Sequence, residues 1–406
     1  MSQAIRFFTL LTMLGLLAGA CAPAAPAPTS APAKPTEAPA KPTEAAPAKP
    51  AASPSPGASP AASPSPAAAA AAPAGASAGA APGGAPYDTK AVADFYSGKT
   101  IRIVVGFAAG GGYDTYARLI ARYLGNAIPG NPTVVVENQV GAGSLLAANT
   151  VYKTAPKDGT VMVHFIGGMI TQKLVVDNPS VEFDPLQYNW LGAPTPDTAA
   201  CAVRKESGIT SLNDARAKEM VLGGTAPGST TDDIPNTLKA VGFNIKLVDG
   251  YDGTAKIRLA ADSGEVMGGC WGWESILPTW KDSLDKKEVL VIAQGGPKPH
   301  PDLPDVPMMQ SFARNDDERK LIEAGIVAPG QISRGFALPP GVPPDRVQAM
   351  RDAFAATLKN PDLLAEAQKA SIAISYVPPD EFYTRIKALQ DLPPDLKQKL
   401  KAALAG

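Results

Sequence analysis

From about residue 100, short apolar runs alternate with amphipathic segments, and a loop of small residues follows each of the first three runs. Residues 101–106, 133–137 and 160–165 are rich in β-branched residues and predict buried strands. Residues 114–124 and 145–155 have apolar positions at helical spacing and predict the intervening helices. Strands that alternate with helices indicate a parallel sheet with right-handed crossovers, which is an α/β fold.

The second half of the chain continues this alternation. Further strands are predicted at 199–203, from 221, and at 246–248, 266–273, 289–293 and 335–338, and further helices at 231–241, 254–261, 344–359, 362–370 and 379–389. Glycine-rich loops follow the first three strands, and a fourth glycine and hydroxyl loop spans 223–230. Because ligands of parallel sheets bind at the carboxyl ends of strands, these loops are the candidate binding site.

The first 21 residues have the pattern of an export signal. Arg6 precedes an apolar run over 7–17, which is too short to span a bilayer well, and small residues then lead to Cys21. This arrangement resembles a bacterial lipobox, although Ala18 stands where leucine is usual. We therefore predict a lipoprotein signal peptide over 1–20 and lipidation of Cys21. Ordinary cleavage nearby, with Cys21 incidental, is the alternative.

Residues 21–86 are predicted to form a disordered tether. Alanine, proline, lysine, threonine, glutamate and serine repeat here without any periodic large apolar residue. Such a segment cannot offset its conformational entropy by packing, and its prolines favour an extended spacer. An anchored, exported globular module is the expectation, and no later segment carries 18 consecutive apolar residues.

Charge and composition exclude several functions. The net charge is −1, which gives no electrostatic footprint for nucleic acid. The chain has two histidines and three cysteines without a C-x-x-C motif, so we predict no metal site and no cofactor.

Two segments resemble one family closely. They are GKTIRIVVGFAAGGGYD at 98–114, followed by Ala117 and Arg118, and VENQVGAGS at 136–144, followed by APKDG at 155–159. They are similar to the extracytoplasmic receptors of tripartite tricarboxylate transporters, the Bug family, whose patterns are Pro-Phe-x-Ala-Gly-Gly and Val-Glu-Asn-x-x-Gly-Ala-Gly-Gly. Weaker matches lie at 223–230, 250–251, 264–266 and 336–343, so the resemblance spans nearly all of 96–406.

The resemblance implies a type II periplasmic-binding fold, with two α/β lobes around a ligand cleft. We expect lobe 1 at 96–198 and 342–406 and lobe 2 at 199–341. The implied function is that of a monomeric, non-enzymatic receptor that captures a small organic carboxylate and delivers it to two membrane subunits. An orphan carboxylate sensor or scavenger and an exported α/β hydrolase are the alternatives.

Backbone amides and hydroxyls of small-residue loops at helix N-termini suit a carboxylate. The expected ligand-binding residues are Phe107, Ala108, Ala109, Gly111, Gly112, Tyr113, Thr115, Gly143, Ser144, Gly167, Thr225, Ala226, Ser229, Thr230, Tyr251, Trp271 and Trp273. Asp114 is expected to cap its helix and organise the loop, since a carboxylate there would repel an anionic ligand. Arg204 or Arg334 is a candidate charged clamp.

The chain departs from the family pattern in ways that bear on the ligand. Gly106 replaces the usual proline, and the usual acidic strand end becomes Gly269-Cys-Trp-Gly-Trp273. Trp271 or Trp273 would favour a ligand with an apolar or aromatic body, although both could belong to the core. Cys201 and Cys270 fall on predicted strands and form either a disulfide or two buried thiols.

Enzyme signatures are weak. Lys99 and Thr100 mimic the end of a P-loop, but they precede a strand and lack the first glycine. His164 lies on a predicted buried strand and His300 in a proline-rich loop, which disfavours a Ser-His-Asp triad.

Overall fold

The computed structural model describes residues 86–405, so the predicted signal peptide, Cys21 and all but the last residue of the predicted tether lie outside the described residues. The described chain forms two α/β lobes, each with a five-stranded mixed sheet covered by helices. The strands are β1 (Thr100–Val105), β2 (Thr133–Asn138), β3 (Val161–His164), β4 (Asn189–Gly192), β5 (Ala199–Arg204), β6 (Met220–Gly223), β7 (Ile245–Val248), β8 (Gly268–Gly272), β9 (Val289–Gly295) and β10 (Phe336–Leu338). The helices are α1 (Thr89–Tyr96), α2 (Gly112–Ala127), α3 (Leu145–Thr154), α4 (Gly168–Thr171), α5 (Thr230–Ala240), α6 (Thr254–Asp262), α7 (Trp273–Asp285), α8 (Asp316–Ile322), α9 (Ala328–Gln331), α10 (Pro344–Thr357), α11 (Pro361–Lys369), α12 (Pro379–Gln390) and α13 (Pro394–Leu404).

The sheet of lobe 1 has the order β2-β1-β3-β10-β4. The buried strand β1 is parallel to both neighbours, with Val105 opposite Asn138 and His164. The predicted parallel arrangement is confirmed for these three strands. Their carboxyl ends, and therefore the three glycine loops, lie at one edge.

The sheet of lobe 2 has the order β7-β6-β8-β5-β9, with β6 parallel to β7 and β8. Each of these three strands leads directly into a helix, from β6 to α5, from β7 to α6 and from β8 to α7. The N-termini of the three helices therefore gather at the carboxyl edge of this sheet. The sequence pattern does not predict α7, because the apolar run at 266–273 indicates a continuous strand.

The lobes divide the chain differently from the predicted boundaries. β10 was predicted within lobe 2, but it pairs with β3 and β4 of lobe 1. The C-terminal helix α13 was predicted in lobe 1, but its Leu400 and Leu404 lie in the core of lobe 2. The chain thus returns to lobe 1 before residue 336 and enters lobe 2 again at its end, since the apolar face of α13 completes the core around α5.

A disulfide joins Cys201 of β5 to Cys270 of β8, which are direct cross-strand partners with their Cα atoms 4.0 Å apart. Both residues are fully buried in the core of lobe 2.

Removing this disulfide should destabilise lobe 2. The bridge spans 69 residues, and cross-links of that span stabilise a protein by about 2–4 kcal/mol, in part by restricting the unfolded chain. We expect a Cys201→Ala/Cys270→Ala variant to lose that much free energy of unfolding in urea titrations. The reductant-treated wild type should show the same loss, while the free energy of unfolding of the variant should not change with reductant. A wild-type midpoint that is insensitive to reductant would argue that the thiols are unpaired.

Candidate functional site

A narrow cleft lies where the carboxyl edges of the two sheets face each other, and its free space, mouth included, is about 420 Å³. Nine of the residues expected at a ligand line it: Phe107, Ala108, Gly111, Gly112, Tyr113, Thr225, Ser229, Thr230 and Trp271. Six lining residues were not expected: Ile166, Asp197, Thr231, Thr254, Gly272 and Ser275. Eight expected residues do not line it: Ala109, Thr115, Gly143, Ser144, Gly167, Ala226, Tyr251 and Trp273.

Four helices begin at this cleft. The N-cap or first residue of each one lines it, namely Gly111 for α2, Ser229 for α5, Thr254 for α6 and Gly272 for α7. None of the four N-termini has an N-cap side chain bonded to its backbone. Their first-turn N–H groups and the positive ends of their dipoles therefore converge on one space.

The acidic side chain in the first turn of α2 is occupied within lobe 1. Asp114 accepts hydrogen bonds from Gly110 N–H, Arg118 Nε and Asn138 Nδ2, each at 2.9 Å. Burial pushes the pKa of Asp114 upward, but these bonds outweigh it and hold the pKa below its usual value. Asp114 thus shapes the 107–112 loop, as the sequence suggested. Thr115 Oγ1 donates to Gly111 O at 2.9 Å and is turned to its own helix.

Ser144 is a packing residue in this structure. It is fully buried in the left-handed region (φ 80°), and its Oγ accepts from Ile166 N–H at 3.2 Å. A Cβ at Gly106 would stand 2.2 Å from Ser144 Cβ, so the two positions are sterically coupled. They are also the positions at which the Bug patterns carry proline and glycine. Ser144 therefore occupies space that glycine at 106 leaves open.

Substitutions at this pair should not be additive. Gly106→Ala is expected to cost about 1–3 kcal/mol of unfolding free energy through overpacking. In the Ser144→Gly background the added methyl group has more room, and glycine also suits the positive φ, so the penalty should shrink by about 1 kcal/mol. Denaturant unfolding of both single variants and the double variant measures the coupling. Equal penalties in the two backgrounds would contradict the contact.

Gly143 and Gly167 serve close packing. Gly143 is in the left-handed region (φ 60°), and a Cβ there would lie 3.4 Å from Ala226 O of lobe 2. A Cβ at Gly167 would lie 2.6 Å from Ile332 O, on the segment that returns to lobe 1. These glycines thus let neighbouring backbone approach and do not line the cleft.

The hydrogen-bond donors of the loop before α5 are paired with a carboxylate from the first turn of that helix. Asp232 Oδ2 accepts from Thr225 N–H (2.8 Å), Ala226 N–H (3.1 Å), Ser229 Oγ (2.7 Å) and Thr231 Oγ1 (2.8 Å). Thr225, Ala226 and Ser229 were expected to bind a ligand, but these donors are engaged inside lobe 2. The missed signal is the acid in the first turn of α5, a common N-terminal partner of such loops.

The two tryptophans have different surroundings. Trp271 lines the cleft, stacks on Trp280 with ring centroids 5.7 Å apart, and has an indole N–H without a partner among the described residues. Trp273 begins α7 and donates its indole N–H to Asp302 at 3.1 Å, away from the cleft. Tyr251 donates to Glu265 at 2.6 Å and also lies outside the cleft.

A buried ion pair, of which only Asp197 lines the cleft, adjoins this space. Arg334, which is fully buried, donates through Nε to Asp197 Oδ1 and through Nη2 to Ser275 Oγ at 2.5 Å. Its guanidinium carbon is 5.1 Å from the ring centroid of Tyr113 and 4.4 Å from that of Tyr116. The arginine thus contacts three residues of the cleft wall, Asp197, Ser275 and Tyr113, without lining the cleft itself. Arg204, the other candidate clamp, instead pairs with Glu206 and Asp262.

Glu274 lies beside this pair. Burial, followed by the nearby Asp197 carboxylate, raises the pKa of Glu274 to about 8, although Arg334 opposes the shift. The side chain is therefore largely protonated at pH 7, and its Oε2 accepts from Thr198 N–H at 2.8 Å. The first turn of α7 consequently carries little negative charge.

Hydrogen bonds cross the cleft between the lobes. Ala108 N–H donates to Asp252 O at 3.4 Å, and Arg258 Nη2 of α6 donates to Gly110 O at 3.2 Å. A Cβ at Gly112 would overlap Ser275 on α7, with its Oγ only 1.8 Å away. The two lobes are therefore in contact across the cleft.

Chemically reactive groups are sparse around this cleft. Burial lowers the pKa of His164 to about 3, and its Nδ1 lies 3.1 Å from Gly335 O, so the ring is neutral. Among residues 86–405 no group of three or more His, Cys, Asp or Glu side chains is arranged to hold a metal ion. Over the same range, no helix combines the length and the apolar character needed to cross a membrane.

Comparison with known proteins supports the family resemblance. No protein-family model matches the chain. A UPF0065 protein from the gbd 5′ region of Cupriavidus necator is 26% identical over 285 residues, covering 67% of this chain and 79% of that protein. The periplasmic binding protein BugD superposes on 76% of this chain and 98% of its own, with a TM-score of 0.61 and 21% identity. An R. palustris protein solved with adipate covers 74% of this chain and 97% of its own, with a TM-score of 0.59 and 21% identity.

The chain is therefore similar in sequence to a UPF0065 protein over 67% of its length, and it has the two-lobed fold of periplasmic binding proteins such as BugD.

Proposed function

We propose that this protein is an exported solute receptor that binds a small organic carboxylate between its two lobes. The observation that carries the proposal is the convergence of the N-termini of α2, α5, α6 and α7 on one cleft. Helix ends of this kind present first-turn main-chain N–H groups and a partial positive charge, which together bind an anion without a cationic side chain.

The lining of the cleft supports this chemistry. No lysine, arginine or histidine lines it among the residues of the described range, so its donors are backbone amides and hydroxyls. Gly111 and Gly112 carry no side chain that would cover the N-terminus of α2, and Thr230 and Thr254 add hydroxyls. The R. palustris protein of the same fold was solved with adipate, a carboxylate.

Aromatic side chains shape the remainder of the cleft. Phe107 and Tyr113 pack with ring centroids 5.0 Å apart on the side of lobe 1, and Trp271 lies on the side of lobe 2. These faces suit an apolar or aromatic ligand body, which gains stability as its surface leaves water.

We further propose that the receptor is held at the membrane surface through a lipidated Cys21 and the proline-rich tether, and that it acts as a monomer. The tether would let the lobes reach membrane subunits of a tripartite tricarboxylate transporter, to which the ligand is delivered. No covalent step is needed, since lobe closure alone sequesters the ligand. Loss of carboxylate uptake on deletion of the gene, restored by the wild type and not by Cys21→Ala, would support both the anchor and delivery.

Thermal melting of the purified protein with mono-, di- and tricarboxylates tests the binding proposal. A ligand at 100 times its Kd adds about 2.7 kcal/mol to the stability of the folded state and raises Tm by a few degrees. The neutral amide of each acid serves as the matched control, because it keeps the shape and removes the charge. Equal shifts with acids and amides, or no shift with any carboxylate, would refute the carboxylate assignment.

A further inference from the structure

The charge on the cleft wall is unusual for an anion site. Of the fifteen lining residues only one, Asp197, has a carboxyl side chain, and none has a basic side chain. The cation that pairs with it, Arg334, is fully buried and is not among the lining residues. A ligand in the cleft therefore meets positive helix ends on several sides and one carboxylate.

Asp197 is held firmly in this position. Its backbone N–H donates to Gly330 O at 2.9 Å, and its Oδ1 accepts from Arg334 Nε. Its carboxylate lies against Gly272, where an added Cβ would stand 2.5–2.8 Å from the Asp197 carboxylate atoms. Oδ2 accepts no hydrogen bond from any residue of the described range. One oxygen of a fixed, cleft-lining carboxylate is thus available to a donor.

We propose that the ligand is a carboxylate that also carries a protonated amine, and that Asp197 binds the ammonium group. This inference rests on the proposed function, because it assigns the carboxylate end of the ligand to the helix N-termini. The bond from an ammonium to Asp197 Oδ2 is charge-assisted, and such bonds are stronger than those between neutral groups. Trp271 and Tyr113 line the same cleft, and their ring faces also attract a cation.

The competing ligand classes fit less well. A di- or tricarboxylate without an amine would bring a second negative charge into a narrow space that contains Asp197 and no cationic side chain. Such an anion gains from the helix ends but is repelled at Asp197. A zwitterion pairs its carboxylate with the helix N-termini and its ammonium with Asp197. It introduces no net charge, which lowers the desolvation free energy of closing the lobes around it.

Pairs of ligands that differ only in the amine test this assignment. We would measure Kd by calorimetry for phenylalanine against 3-phenylpropanoate, aspartate against succinate, and leucine against 4-methylpentanoate. The amino member of the pair that binds should bind at least about tenfold more tightly, as expected for a hydrogen bond between charged groups. In Asp197→Asn that preference should fall to near onefold, because the amide keeps the shape and lacks the charge.

Glu274→Gln is the matched control. Glu274 adjoins the same Arg334 and is equally buried, but it does not line the cleft. The Glu274→Gln variant should retain the preference for the amino ligand. Loss of that preference in both variants would show that disturbance of the buried cluster is the cause and would overturn the assignment. If Asp197→Asn does not fold, the affinities of the wild-type protein for the amino and des-amino ligands alone decide whether the amine is bound.

The outcomes separate this inference from the proposed function. Des-amino acids that bind as tightly as their amino partners would overturn the ammonium assignment and leave the carboxylate receptor intact. Binding of phenethylamine without any carboxylate binding would overturn the proposed function itself. Tight binding of one amino acid, with weak binding of both phenethylamine and the des-amino acid, would support both.

Discussion

Arg334→Met should lower the free energy of unfolding by about 3–5 kcal/mol, because it leaves the buried Asp197 without its counter-ion. The arginine side chain is 0% exposed and that of Asp197 3% exposed, so solvent screens the pair only weakly. The variant also loses the contacts of the guanidinium with the rings of Tyr113 and Tyr116. Urea unfolding of wild type and variant gives the difference.

A surface ion pair supplies the matched control. Arg102 and Glu137 are bidentate partners whose side chains are 46% and 44% exposed, and Arg102→Met should cost no more than about 1 kcal/mol. In Arg334→Met/Asp197→Asn the uncompensated charge is removed, so part of the stability should return. A loss at Arg334 no larger than that at Arg102 would mean that the buried pair contributes little.

Gly112→Ala should reduce ligand affinity by about 100-fold or more while the protein stays folded. An added Cβ at the start of α2 overlaps Ser275 of α7 across the cleft, at 1.8 Å from Oγ and 2.3 Å from Cβ. The methyl group therefore holds the lobes apart, and a ligand that binds only when they close loses the contacts of one lobe. Calorimetry with whichever carboxylate stabilises the wild type measures the effect, and the melting curve reports folding.

Shortening the opposing side chain tests the steric explanation. Gly112→Ala/Ser275→Gly removes the two nearest clashing atoms and should recover part of the affinity, although Ser275 Cα remains 2.9 Å from the added carbon. The single Ser275→Gly variant accounts for the lost bond to Arg334. Wild-type affinity in Gly112→Ala would show that the ligand does not require the lobe contact described here.

Local patterns were sufficient for much of lobe 1. The β-branched runs of β1, β2 and β3, each followed by small residues, predict parallel strands whose loops share an edge, and the register confirms this. Most of the 107–113 segment lines the cleft for the same reason, since ligand clefts of such sheets form at the carboxyl ends of the strands. The two segments that resemble the Bug family most closely, 98–118 and 136–159, come from this part of the chain.

Other features depended on partners distant in sequence. The run at 266–273 is uniformly apolar whether it continues as strand or turns into α7, and the helix is stabilised by packing that no local period reports. The short strand β10 and the helix α13 joined the lobe opposite to the one expected, because burial of their apolar faces outweighs proximity in sequence. Ser144 was expected at the ligand and is instead held against Gly106.

The amino-acid sequence by itself determined the α/β class, the edge of the first sheet at which the three glycine loops lie, and the glycine loop at 107–112, because these follow from periodicity and from the backbone freedom of small residues. Only the tertiary structure decided which charges reach the cleft. Asp197 lies on a connecting segment with no motif, and it becomes a cleft residue because Arg334, 137 positions away, pairs with it at the crossover between the lobes. Asp232 accepts hydrogen bonds from Thr225 and Ser229 of the loop that precedes its own helix, so its charge is used inside lobe 2. Electrostatic pairing depends on distance in space, and the fold alone sets that distance.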